Sequence, residues 1–296
     1  MIVLLYTITL ILFGSTWVVV KIGLESIPPF TFAVVRFVIA FLLLGLAFRI
    51  WRYRLPAIPH IRRKIFVAGF LMYGLNFLFI YVGQKEIDSS LAAVLFATMP
   101  FFTGIIAHIL LPQERLTKKV VIGMIVGFSG TVALFSNNLS LTGPVLGMLS
   151  LLLSSFFCSW ATVLIKRDLQ EIPAAQLSIL QIPAGLVVLI PPMMFELPIQ
   201  FDINVANVGS LLYLAILGTG VAFIGWYYLL KRVSAVALSL MTFLEPLVAI
   251  GLGYLLLDEK LESHFLIGGA LILVGVLIAT FERKVSPKPD QISSQD

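Results

Sequence analysis

Apolar residues run through this chain in ten long stretches separated by short polar or proline-bearing joints. The stretches lie at Ile2–Val20, Phe30–Ile50, Ile65–Val82, Ser90–Leu111, Val120–Phe135, Val145–Ile165, Pro173–Phe195, Val208–Leu230, Val236–Leu257 and Phe265–Phe281. Neither a two-residue alternation nor a one-sided helical stripe organises them. Segments apolar on every side, each about 20 residues long, match helices that cross a hydrocarbon core about 30 Å thick. A membrane barrel would alternate polar and apolar positions and could not contain a continuous run such as Phe41–Phe48. The pattern therefore predicts an all-α integral membrane protein with ten transmembrane helices.

The second half of the pattern restates the first at an offset of about 145 residues, the kind of internal repeat found in secondary transporters. Lys21, Ile27, Pro28 and Arg36 align with Lys166, Ile172, Pro173 and Gln181. Ser89, Ala92, Glu114, Leu116, Gly123 and Gly130 align with Ser234, Ala237, Glu259, Leu261, Gly268 and Gly275, and Pro100 meets Pro246 after a one-residue slip. Five helices per repeat is an odd number, so the second copy must insert upside down. The expected organisation is a first five-helix repeat over 1–140, an inverted second repeat over 141–282, and a polar tail over 283–296. Inverted repeats commonly bind their substrate near the bilayer midplane, which makes transport the leading functional expectation.

Composition fits that solvent. Hydrophobic residues are 59% of the chain and charged residues 12%, against roughly half and a quarter in soluble domains. The net charge of +5 is explained by loop sorting rather than by a nucleic-acid partner. Arg49, Arg52, Arg54, Arg62, Arg63 and Lys64 follow the second stretch; Arg115, Lys118 and Lys119 the fourth; Lys166 and Arg167 the sixth; Lys231 and Arg232 the eighth. Arg283, Lys284 and Lys288 add to the tail, whereas the opposite joints hold only Lys21, Lys85 and Lys260. The positive-inside rule then places both termini in the cytoplasm of a bacterial plasma membrane. The matching joints PQERLTKK and DEKLES differ in basic content as inversion requires.

The first stretch lacks a basic start and a small-residue cleavage site, so it is expected to remain as a span rather than act as a secretory signal. One cysteine, Cys158, excludes an intramolecular disulfide and reads as a buried structural thiol. No GxxxxGK[ST] run suggests ATP hydrolysis, and no residue set implies a cofactor or metal. Any uphill work must then draw on protons, another ion, exchange or a separate subunit. An intramembrane enzyme is disfavoured because the spans contain no nucleophile with a nearby His base.

The chemistry-bearing candidates are the few polar groups at membrane depth. Arg36, His108 and Glu245 are ionisable groups inside the stretches, and charge in lipid must face protein, a partner or water. At 1.5 Å per residue, Arg36 sits about 10 Å below the outer face and Glu245 about 15 Å above the inner one, depths that allow pairing. Glu245 is read as a proton- or amine-binding carboxylate, with Arg36 as its partner or as a carboxylate-binding group; a structural ion pair is the alternative. His108 reads as an interfacial side chain. Pro100 and Pro246 remove amides near mid-membrane and should break or kink their helices there, freeing the carbonyls of Phe96 and Thr242. Asn76, Tyr81, Trp17, Trp160, Trp226 and Tyr227 complete the candidate solute site, although several lie near span ends, where aromatic belt residues are common. Tyr73, Phe77, Thr219 and Phe223 stand beside them on the third and eighth stretches. Gly123 and Gly127, echoed by Gly275 and Ala279, form small-residue faces suited to close helix packing.

Three fragments carry a family resemblance: FGSTWVVVKIGLESIPPFTFAVVRFVIA at Phe13–Ala40, SSLAAVLFATMPFFTGIIAHILLPQERLT at Ser89–Thr117, and SAVALSLMTFLEPLVAIGLGYLLLDEKLESHFLIGGALILVGVLI at Ser234–Ile278. From Leu4 to Thr280 the chain resembles the drug/metabolite transporter superfamily, in its ten-span EamA-type branch. The resemblance implies inverted repeats, alternating access, and a central cavity lined mainly by the first, third, fourth, sixth, eighth and ninth spans. It carries family positions onto Arg36, Pro100, Glu245, Pro246, Glu114 and Glu259. The family's tryptophan-glycine pair in the first span is Phe13-Gly14 here, with Trp17 following. The expected function is export of a small metabolite such as an amino acid or derivative, with possible proton coupling. Uptake or facilitated diffusion of a sugar or nucleoside-like solute is the alternative, and a membrane sensor the alternative of another class.

Overall fold

A computed structural model describes residues 2–50, 52, 59–87, 89–136, 144–198, 204–257 and 263–280. These residues form helices and short connections, with no strand among them. Joined across their short interruptions, the helical segments of the described residues are numbered α1 to α10 in chain order. They are α1 (Ile2–Leu24), α2 (Pro29–Ile50), α3 (Pro59–Gly69 through Asn76–Glu86), α4 (Ser89–Phe96 and Met99–Leu110) and α5 (Lys118–Leu134). Then follow α6 (Val145–Asp168), α7 (Ala174–Met194), α8 (Val205–Tyr213 through Ala222–Leu230), α9 (Ala235–Ser239 and Met241–Leu257) and α10 (Ser263–Thr280). Eight of them are long and apolar enough to cross a membrane; α5 and α10 are shorter. The polar joint at 258–262, with Glu259, and the polar tail at 283–296 lie outside the described residues.

Inside a bilayer each backbone donor and acceptor must be satisfied within the protein, which selects helices for these apolar sequences. Their ends carry the chemistry that stops them. Pro28 and Pro29 follow the last turn of α1, and Pro29 opens α2, where its missing amide costs no helical bond. The carboxylate of Glu196, just past α7, accepts from the amides of Phe30 at 3.1 Å and Thr31 at 2.7 Å, capping α2 from across the bundle. Thr117, Asn204 and Ser234 cap α5, α8 and α9 by accepting from Val120, Asn207 and Ala237.

The outer sides of the rods present Leu42, Leu46, Ile109 and Leu266, as lipid-facing positions should. Their inner sides bury Phe32, Phe37, Tyr73, Tyr227 and Phe243. Helices from both halves of the chain interleave: α2 and α3 pack on α7, α3 and α4 on α6, and α1 on α8 and α9. α5 and α10 pack on each other at the side. Here the small residues act as expected within one chain. A Cβ on Gly123 would fall 2.5 Å from the Ala279 backbone nitrogen, and one on Gly130 2.6 Å from that of Ile272.

The interruptions of the rods differ from the proline expectation. α4 does break just before Pro100, at Ala97–Thr98, and Pro100 sits in the first turn of the resumed helix, where its ring meets no preceding turn. In α9, however, Met241–Leu257 runs through Pro246, and the break falls earlier, at Leu240. A proline tilts a helix without ending it when neighbouring groups take over the freed backbone contact. Two further irregularities are π-helical segments, Phe70–Leu75 in α3 and Leu214–Val221 in α8. Each widens the helix locally and redirects the side chains around it.

The α5–α10 contact yields a stability prediction. Gly123→Leu forces backbone apart and should destabilise the protein by about 1–3 kcal/mol. Gly209→Ala, where an added Cβ meets nothing within 4 Å, should leave the unfolding midpoint in detergent nearly unchanged; equal midpoints for the two variants would contradict this packing.

Candidate functional site: a cavity holding an arginine and a glutamate

The hydroxyl groups of α6 set the walls of the interior. Ser154 donates to Asn76 Oδ1 on α3 at 2.7 Å, and Ser159 Oγ lies 3.0 Å from the Met99 carbonyl at the resumption of α4. Thr103 donates to Ser159 at 3.0 Å, while Thr98 and Ser155 share a hydrogen bond of 2.9 Å. The broken stretch of α4 is thereby held by α6, and its backbone is buried in protein, as non-helical backbone at membrane depth must be.

Between these helices lies a cavity of about 100 Å³. α1 supplies Phe13, Thr16, Trp17 and Val20; α3 supplies Met72, Asn76, Phe77, Ile80, Tyr81 and Gln84. Phe96 and Met99 come from α4, Cys158 from α6, Phe223 and Trp226 from α8, Thr242 and Glu245 from α9, and Arg36 reaches in from α2. The wall is mostly aromatic and aliphatic. Phe13 meets Phe223 and Trp226 edge-on with centroids 5.4 and 5.8 Å apart, and Trp17 meets Phe96 at 5.9 Å.

Two opposite charges are set into this apolar wall. Arg36 is 3% exposed. Its Nε donates to Thr219 Oγ1 at 2.8 Å, and its guanidinium carbon lies 5.5 and 5.4 Å from the ring centres of Phe37 and Phe77. The α8 π segment explains this geometry: it turns Thr219 toward α2, and Gly218 beside it leaves room for the guanidinium, since a Cβ there would approach Arg36 Nη2 to 3.4 Å. Glu245 is 7% exposed, and its Oε2 accepts from Trp17 Nε1 at 3.0 Å. The ion pairs among the described residues do not join Arg36 to Glu245. Each charge keeps its own neutral partner, and both border the same space. The remaining N–H donors of the guanidinium and the remaining acceptor sites of the carboxylate can thus serve a ligand carrying both charges.

Of the sequence candidates, Arg36, Asn76, Tyr81, Trp17, Trp226 and Glu245 line the cavity. Trp160 does not: it is 40% exposed on the outer side of α6 and packs edge-on against Phe156. Tyr227 does not either, being fully buried and donating to Gln181 Oε1 at 2.7 Å. Span position alone points to both residues, and helix rotation decides which way they face. His108 is exposed, with Nδ1 accepting from the Leu116 amide at 3.3 Å. Cys158 is buried as expected, but in the cavity wall, with its thiol 3.7 Å from the Met72 sulfur. Thr16 and Gln84 escaped sequence reasoning: Thr16 is one of several hydroxyl residues on its span, and Gln84 lies beyond the third stretch as read from hydropathy.

The fold and cavity define a multi-pass, all-α membrane protein built around a solute-sized internal site. A crystal structure superimposes with a TM-score of 0.78 at 21% identity, covering 94% of this chain and 96% of its own, which establishes the shared fold. The pattern of the EamA-like transporter family matches residues 1–136 and again 145–281, and the chain belongs to that family. Its members are transporters rather than enzymes. Among curated relatives, the uncharacterized transporter YoaV of Bacillus subtilis (strain 168) is 29% identical over 93% of this chain and 94% of its own length. The uncharacterized inner membrane transporter YedA of Escherichia coli (strain K12) is 28% identical over 94% and 90%. A probable amino-acid metabolite efflux pump of Salmonella typhimurium (strain LT2) is 26% identical over 94% of each.

The arginine contact can be checked by stability. Thr219→Val removes the acceptor of Arg36 Nε without changing shape, and should cost about 1–3 kcal/mol. An unfolding midpoint in detergent equal to that of the unaltered protein would show that the bond is not holding the guanidinium.

Proposed function

We propose that this transporter exports a small zwitterionic metabolite of the amino-acid type by alternating access, coupled to protons. The observation that carries the reading is one buried cation and one buried anion bordering a single apolar cavity without pairing to each other. Leaving two opposite charges apart at membrane depth is costly unless something bridges them. A solute with a carboxylate for Arg36 and an amine for Glu245 does so, and the aromatic wall accommodates its apolar part. The name of the Salmonella typhimurium relative supports this class of solute.

In the mechanism, Arg36 holds the solute carboxylate while Thr219 and the rings of Phe37 and Phe77 hold Arg36. Glu245, kept in place by Trp17, binds the amine in its ionised form. When the solute leaves, a proton replaces the amine, since an ionised carboxylate alone at this depth is the least stable state. Proton and amine thus compete for one group, which makes their movements opposite in direction. This reading places both termini in the cytoplasm of the plasma membrane and takes 1–140 and 141–282 as repeats of inverted orientation. The two family matches and the π segments of α3 and α8, about 145 residues apart, support that organisation.

The test is flux in vesicles of reconstituted protein with an imposed pH gradient and labelled amino acids. Glu245→Gln should abolish gradient-driven movement while the protein stays folded and keeps residual solute binding. Unchanged uphill transport in that variant would exclude Glu245 as the coupling group, and movement of sugars or nucleosides alone would exclude the zwitterion.

A further inference from the structure

Besides Arg36 and Glu245, two deeply buried side chains border the cavity with a polar atom that has no hydrogen-bond partner among the described residues. They are Tyr81, through its hydroxyl, and Trp226, through Nε1; the residues are 1% and 5% exposed. A third such atom, Gln84 Oε1, belongs to a residue that is only partly buried. Buried polar groups in folded proteins are nearly always satisfied, because an unpaired one has given up its water for nothing. A buried donor that finds no acceptor in the protein and borders an internal cavity is explained by what enters that cavity.

The two groups stand at different places along the wall. Tyr81 belongs with Arg36: the Phe77 ring centre lies 6.3 Å from that of Tyr81 and 5.4 Å from the guanidinium carbon. A carboxylate held by Arg36 therefore offers the Tyr81 hydroxyl an acceptor as well. Trp226 lies two helical turns, about 10 Å, along α8 from Thr219, the residue that anchors Arg36. Between them the wall is a run of rings, with Phe77 and Phe223 at 6.5 Å, Phe223 and Phe13 at 5.4 Å, and Phe13 and Trp226 at 5.8 Å. Such a run suits methylene groups, and the indole stands at its end.

Building on the zwitterion reading of this cavity, we infer that Trp226 is a specificity-determining residue, whose indole N–H takes a neutral hydrogen-bond acceptor at the end of the solute's side chain. The solute class is then narrower than amino acids at large: a short methylene chain ending in an amide or hydroxyl oxygen. Indole Nε1 can only donate, so the group it meets must accept. Arg36 and Glu245 are the charged residues of the wall, and the solute's own carboxylate and amine occupy them. A second carboxylate on the side chain would have to bury its charge against one neutral donor, which is costly.

Heats of binding in detergent test this with three probes: L-glutamine; L-norleucine, whose unbranched side chain lacks the acceptor; and butyramide, which keeps the amide and lacks both charges. The unaltered protein should bind glutamine about tenfold more tightly than norleucine. Trp226→Phe, which keeps a ring against Phe13 and removes the N–H, should erase that preference. Equal affinities in the unaltered protein, or a preference that persists in the variant, would overturn the role of Trp226 and leave the zwitterion reading standing. If Trp226→Phe does not fold, benzothienylalanine incorporated at position 226, with sulfur in place of the N–H at nearly constant shape, decides by the same comparison. Butyramide binding that depends on the N–H, with neither amino acid bound, would uphold the donor and sink the zwitterion. No binding of any of the three would overturn both.

Discussion

Every peptide group at membrane depth needs a partner inside the protein, and the rest of this structure follows from that demand. It turns apolar stretches into helices and permits departures only where another side chain or the protein interior substitutes for the lost ladder bond. The departures are concentrated around the cavity. α4 breaks where Ser159 approaches the Met99 carbonyl, α9 breaks at Leu240 just before the cavity residues Thr242 and Glu245, and the α8 π segment delivers Thr219 to Arg36. Irregular backbone and solute site are two aspects of one arrangement.

The same demand shapes the electrostatics. Arg36 and Glu245 are not neutralised by each other; a hydroxyl and two rings serve one, an indole the other. A direct salt bridge would satisfy both charges and leave little reason for a ligand to enter. Leaving them unpaired gives each a neutral dipole as partner, and in the proposed reading the remaining strength is reserved for a zwitterion. On that proposal binding and coupling meet in the same pair of residues, and Thr219 and Trp17 position them.

Much of this was legible in the sequence because lipid makes the code simple. Length and all-round apolarity located the helices, and rarity of charge singled out Arg36 and Glu245. The small-residue faces of α5 and α10 were readable for the same reason, as glycine at regular spacing has few other uses. Facing was less legible. Apolar helices without a polar side carry no rotational signal, so Trp160 and Tyr227 looked equivalent to Trp17 and Trp226 until packing separated them. The π segments have no residue signature, because a widened turn depends on what the neighbouring helix offers. Pro246 misled for a related reason: a proline removes one hydrogen bond, but tertiary contacts decide whether the helix ends there.

The central claim is that one cavity carries the solute across. Counterflow tests it most directly: vesicles loaded with an unlabelled amino-acid mixture and diluted into labelled amino acid, with the protein unaltered or with Thr242→Trp filling the cavity. The account predicts saturable counterflow by the unaltered protein and none by a folded Thr242→Trp variant. Equal counterflow by both would show that solute takes another route.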